Sequence, residues 1–152
     1  MKLVTYALTG AFMLASTAAF AESHEAAEEN TQQMTVEAAL AGGDAAAGEK
    51  VFKKCKACHM IGEGAKTRTG PPLNNIVGTE LGVFEGFTYS KGMVVLSDEG
   101  TVWTIENLNA LLLKPRDFIE KTKMSFAGLK DEEDRANLIA YLATFTTVEA
   151  DN

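Results

Sequence analysis

Cys55-Lys56-Ala57-Cys58-His59 is the stretch on which the reading of this chain turns. A C-x-x-C-H run is a covalent haem attachment signature. Two thiols three positions apart can each add to one vinyl group of the same haem and form thioethers. The imidazole that follows at once then lies against the iron, with His59 Nε2 as the proximal ligand. Other uses of the five residues fare worse. A thioredoxin-like dithiol needs a βαβ pattern nearby, and none is visible. A structural zinc site needs four ligands. The chain has two cysteines and two histidines, but His24 is far from the motif. A disulfide across two intervening residues would close a small, strained loop.

The chain has 152 residues and a formal net charge of −7. Lys2, the apolar run from Leu3 to about Thr17 and Ala19-Phe20-Ala21 match the three parts of an export signal, cleaved before Glu22. Thr5, Thr9, Ser16 and Thr17 weaken the alternative of an uncleaved membrane anchor. The expected destination is a bacterial periplasm. No nucleic-acid partner is expected, and a membrane is a partner only if the signal stays attached.

Residues 22–43 carry Glu22, Glu25, Glu28, Glu29 and Glu37 with no Lys or Arg, and read as an acidic disordered tail. A chain starting at Asp44 is expected to keep the same potential and visible spectrum. A large loss of thermal stability on that truncation would count against the reading.

Residues 44–148 read as one domain, without internal repeats. Asp44 can cap a first helix running to Cys55, with Val51, Phe52 and Cys55 on one face. Gly62 to Gly70 is loop, and Gly70-Pro71-Pro72 is a turn signal. Gly78, Gly82, Gly86 and Gly92 punctuate a long irregular stretch. Thr104 can cap a helix of Ile105, Leu108, Leu111 and Leu112 that stops at Pro115; a short helix over 115–120 follows. The last helix starts among Asp131 to Asp134 and carries a stripe of Leu138, Ile139, Tyr141, Leu142 and Phe145. No segment alternates as a strand should, so the fold class is all-α.

A second axial ligand must come from the other haem face. Met1 and Met13 leave with the signal, Met34 is in the tail, and Met60 adjoins His59 on the wrong side. Met93 and Met124 remain. Met93 sits among Gly92 and two valines, as a gap-filling methionine would. Met124 sits in a loop before the last helix. Spacing alone leaves both open.

From Gly48 to Phe145 the chain resembles the class I c-type cytochromes, the family of mitochondrial and small soluble bacterial cytochromes c. The resemblance rests on an ordered set: Cys55-Lys-Ala-Cys58-His59, Thr69-Gly70-Pro71, Phe87-Thr88-Tyr89, Trp103, Pro115, Thr122-Lys123-Met124-Ser-Phe126-Ala127-Gly128 and Leu138-Ile139-Ala140-Tyr141-Leu142. It implies a compact single-haem fold with the first and last helices packed together through Gly48, Phe52, Leu138 and Tyr141. It implies Met124 as the sixth ligand and the Pro71 carbonyl as acceptor for His59 Nδ1–H. Tyr89, Trp103 and Thr122 would hydrogen-bond the propionates, and Phe126 would pack beside the exposed haem edge. Two positions depart from the family pattern. Leu111 stands where a Tyr near the ligand sulfur is frequent, and Thr79 where an Arg near a propionate is frequent.

The implied function is one-electron transport between redox complexes, with no catalytic residue. His/Met ligation closes both axial sites, and methionine raises the potential. Implied partners are a quinol–cytochrome c oxidoreductase, a terminal oxidase, a photosynthetic reaction centre or a periplasmic reductase, met by a monomer. The alternative is a haem enzyme or ligand sensor with an open sixth position. His59 is the domain's only histidine, which leaves Arg68, Arg116 or Arg135 to assist such chemistry.

Charge is unevenly placed. With the signal, the five acids of residues 22–43, Glu149 and Asp151 set aside, the domain holds 14 acids against 13 Lys and Arg. Lys53, Lys54, Lys56, Lys66 and Arg68 surround the haem motif, and Lys114, Lys121 and Lys123 flank the methionine loop. Asp131 to Asp134 are expected to lie away from the exposed edge. Such a dipole would steer an acidic partner to the haem.

Overall fold

Asp44 starts the domain by serving two elements at once. The computed structural model describes residues 42–147. The signal, nearly all of the acidic tail, His24 and Met34 lie outside them. The Asp44 carboxylate accepts from Ala46 N at 2.8 Å and Ala47 N at 3.2 Å, which caps α1 (Ala45–Phe52). Its own N–H donates to Asn137 Oδ1 on the last helix at 2.6 Å.

That last helix, α5 (Glu132–Ala143), is capped by Asp131, whose carboxylate accepts from Asp134 N at 3.0 Å. Glu132, Glu133 and Asp134 fill its first turn, where the helix dipole favours negative charge. The α1–α5 contact is the main helix pairing. Gly48 makes it possible: a β-carbon there would overlap Asn137 O and lie 2.8 Å from Tyr141 Cβ. Phe52, 1% exposed, packs against Tyr141 with ring centroids 5.4 Å apart. Burial of one such side chain is worth about 2 kcal/mol. Leu138, Ile139 and Leu142 extend this core.

α3 (Ile105–Leu113) and α4 (Pro115–Phe118) lie between. The Thr104 hydroxyl caps α3 by accepting from Asn107 N at 3.2 Å, and Pro115 opens α4 at the position where its missing N–H costs nothing. α3 packs on α5 through the buried Leu108, Leu111 and Leu112.

The glycine-punctuated stretch holds a helix that the sequence reading lacked, α2 (Lys91–Asp98). Ser90 caps it by accepting from Met93 N at 3.3 Å. Gly92 and the two valines gave it weak helical propensity, and no residue of α2 is fully buried, so its apolar periodicity was poor. Tertiary contact fixes it instead: Gly92 abuts Glu120 O so closely that a β-carbon there would overlap it. Among the described residues the one extended pairing is a single antiparallel bridge, Glu80 with Val102. The fold is all-α.

Candidate haem site

α1 passes into tight turns that carry the C-x-x-C-H run. Cys55 N donates to Phe52 O at 2.8 Å, and His59 N to Cys55 O at 2.9 Å. Helix-like winding thus puts Cys55, Cys58 and His59 on one wall of a cavity of about 230 Å³. The two cysteines form no disulfide. Burial pushes the Cys55 thiol up to about 11, with Lys54 pulling the other way.

His59 is oriented by its neighbours. Its Nδ1 lies 2.8 Å from Pro71 O, so Nδ1 carries the proton and Nε2 keeps its lone pair. Gly70 lies flat on the ring: a β-carbon there would overlap Cε1 and come within 2.7 Å of Nδ1. Burial lowers the imidazole's affinity for a proton, partly offset by the Pro71 hydrogen bond. The neutral, metal-binding form is the one favoured.

All the site residues read from the sequence meet at this cavity: Cys55, Cys58, His59, Pro71, Tyr89, Trp103, Thr122, Met124 and Phe126. Met93 also lines it, from α2. Met124 is half-buried, its N–H 3.2 Å from Thr122 Oγ1. Trp103 is buried against Phe118, with ring centroids 6.1 Å apart. Phe87 sits edge-on to Tyr89 at 4.9 Å, and burial raises the Tyr89 phenol's pKa. Much of the remaining lining is aliphatic and is gathered from along the domain, including Leu73, Ile76, Leu108, Leu112, Ile119 and Leu142.

Of the two departures from the family pattern, Leu111 lines the cavity. Thr79 does not; its hydroxyl bonds to Asn75 O at 2.9 Å and Ile76 O at 3.0 Å. The three arginines that could have assisted peroxide chemistry are all elsewhere. Arg68 donates to Lys56 O at 2.8 Å, Arg116 borders a separate open groove beside Pro115, and Arg135 is buried among backbone carbonyls.

One electrostatic expectation is corrected. The acidic start of α5 is not remote from the motif: Asp134 Oδ2 pairs with Lys54 Nζ at 3.1 Å, and Lys54 lines the cavity. The α1–α5 packing brings the two together across the chain. Lys123 is also engaged, donating to Thr88 O at 2.9 Å.

A largely apolar cavity lined by two free thiols and an oriented imidazole fits a haem. The class is thus a helical protein built around a single covalently attached haem. Comparison with known proteins carries this further. The cytochrome c family profile matches residues 45–146. A cytochrome c2 from Afifella marina is 50% identical over 102 residues, 67% of this chain and 82% of that protein. A cytochrome c2 from Agrobacterium tumefaciens is 47% identical over 100 residues, 66% of this chain and 90% of the other. The solved structure of cytochrome c2 from Rhodospirillum centenum superposes with a TM-score of 0.66 at 39% identity, covering 69% of this chain and 100% of that one. This chain belongs to the cytochrome c family, and its cofactor is haem c.

Proposed function

We propose that this cytochrome c is a periplasmic one-electron carrier, exported by residues 1–21, with His59 and Met124 as the axial iron ligands. When bound, the haem supplies a one-electron ferric/ferrous couple. The chain's residues supply the rest. Pro71 fixes the His59 ring, and the aliphatic walls exclude water. Met124 would supply the second iron ligand. Tyr89, Trp103 and Thr122 would hold the haem propionates, and Phe126 would pack beside the haem. The domain is residues 44–148, working as a monomer.

The lining of the cavity is the observation that carries this reading. Among the described residues no carboxylate, arginine or second histidine lines it, as peroxide cleavage would need. A carrier needs none. An absorbance spectrum of the purified protein tests it. A reduced low-spin c-type spectrum, with a methionine–iron charge-transfer band in the oxidised form, is the expected result. High-spin bands would indicate an enzyme or ligand sensor instead.

The partners we propose are acidic redox proteins of the kinds named above, docking at the cavity rim. Lys54 and Lys123 line the cavity, Lys53 and Lys56 are exposed next to Lys54 in the chain, and Arg68 donates to the Lys56 carbonyl. Electron transfer to such a partner is expected to slow as salt rises. Lys123→Glu is expected to slow it by a factor on the order of ten at low ionic strength. Lys54→Glu should also slow it, but it would set a carboxylate against Asp134, so Lys56→Glu is the cleaner reversal. A rate flat with ionic strength, with the reversals silent, would remove the docking reading. Among the described residues no helix is long and apolar enough to cross a membrane.

A further inference from the structure

We propose that Arg135 is the positioning residue of the methionine loop: it holds the loop's exit, and so keeps Met124 on the iron and other ligands out. The proposal rests on Met124 being the sixth ligand.

Arg135 stands in the first turns of α5 and is 6% exposed. Among the described residues no carboxylate pairs with it. Its Nη1 donates to Leu129 O at 2.8 Å, Lys130 O at 2.9 Å and Asp131 O at 3.1 Å. Its Nε donates to Asn109 Oδ1 on α3 at 2.7 Å. A buried cation near a helix N-terminus is doubly unfavourable, through desolvation and through the dipole. Such a residue persists where its hydrogen bonds do a task that no other side chain can. A planar guanidinium sets donors on separate nitrogens, so Nη1 can reach the consecutive carbonyls while Nε reaches the Asn109 amide; an ammonium has all its donors on one atom.

What it gathers is the end of the segment that carries Met124. The entry of that segment is fixed by the buried Ile119, whose carbonyl accepts from Thr122 N at 3.2 Å. From Lys123 to Gly128, no backbone N–H donates to another backbone carbonyl. The exit is fixed again: Leu129 N donates to Leu112 O at 2.7 Å, and Arg135 grips the carbonyls from Leu129 to Asp131. A segment without a ladder of its own opens at a free energy set by its anchors. Arg135 ties the exit anchor to both α3 and α5. Loosening it raises the fraction of molecules in which the loop has swung away, and an outside ligand binds only those.

The test uses the full-length holoprotein in its oxidised form, with imidazole as the probe. Apparent affinity scales with the open fraction, so Arg135→Met is expected to tighten imidazole binding by roughly tenfold or more. It should also weaken the methionine–iron band. Arg135→Lys should recover part of the loss, and Asn109→Ala, which removes one acceptor of four, should show a smaller effect. Ile139→Val, in the core of α5 but off the cavity, controls for plain destabilisation. If Arg135→Met lowers thermal stability but leaves imidazole affinity and the band as in Ile139→Val, the role is structural only and the proposal fails. Should Arg135→Met not accumulate with haem, Arg135→Lys carries the same comparison, and unchanged imidazole affinity there is equally fatal. Met124→Ala in the same assay reports on the premise. A wild-type band and affinity in that variant would show that Met124 is not the ligand, whatever Arg135 does.

Discussion

Met124→Ala abolishes the methionine–iron charge-transfer band and opens the iron to imidazole or azide. The potential falls by on the order of 0.1 V or more, within the roughly 0.8 V range that axial ligands command. Loss of a thioether that favours the ferrous state sets the direction. The contrast with Met93 makes this measurement decisive, because both side chains line the same cavity. Met93 stands on α2, close to Gly82, and Met93→Ala should leave the band in place. Met124 stands on the loop bounded by Ile119 and Leu129. If Met93→Ala removes the band and Met124→Ala keeps it, the ligand assignment is reversed.

Gly48→Ala is the second large effect, and it acts on stability. Its β-carbon would overlap Asn137 O and crowd Tyr141 Cβ at 2.8 Å. Both neighbours belong to a helix that is itself held by the buried Leu138 and Ile139, so neither can give way cheaply. Overpacking typically costs 1–3 kcal/mol, and a backbone obstacle puts this case near about 3 kcal/mol. For a domain of this size that lowers Tm by on the order of 15 °C. The helix propensity of alanine, better than glycine by about 1 kcal/mol, opposes the loss and is outweighed. Thermal unfolding of the holoprotein checks it. A Tm within two or three degrees of wild type would show that the two helices can separate at small cost.

Much of this was open to reading along the chain, because the chemistry concerned is local. Cys55, Cys58 and His59 reach one wall because they are neighbours on a tight helical turn. Asp44 and Thr104 cap the helices that they were expected to cap, and Asp131 caps a last helix expected to start among Asp131 to Asp134, since a cap bonds N–H groups two or three residues away. α2 was missed for a related reason. Its local cap, Ser90, stands beside Gly92 and two valines of weak helical propensity, and the contact of Gly92 with Glu120 O that steadies it comes from elsewhere in the chain.

The amino-acid order by itself determined that a haem is attached, which residues attach it, and which segments are helical by pattern and cap. It could nominate two methionines, and it named Arg135 only as one of three arginines that could assist the chemistry of a haem enzyme. The tertiary structure decided that Asp134 sits on Lys54, that Gly48 is the contact between α1 and α5, and that Arg135 is buried beneath the exit of the methionine loop. These are meetings between residues far apart in sequence; Asp44 N and Asn137 Oδ1 are separated by 93 positions. Spacing constrains neighbours through bond geometry. A distant pair is constrained only by how the helices pack, and that packing depends on the whole core at once.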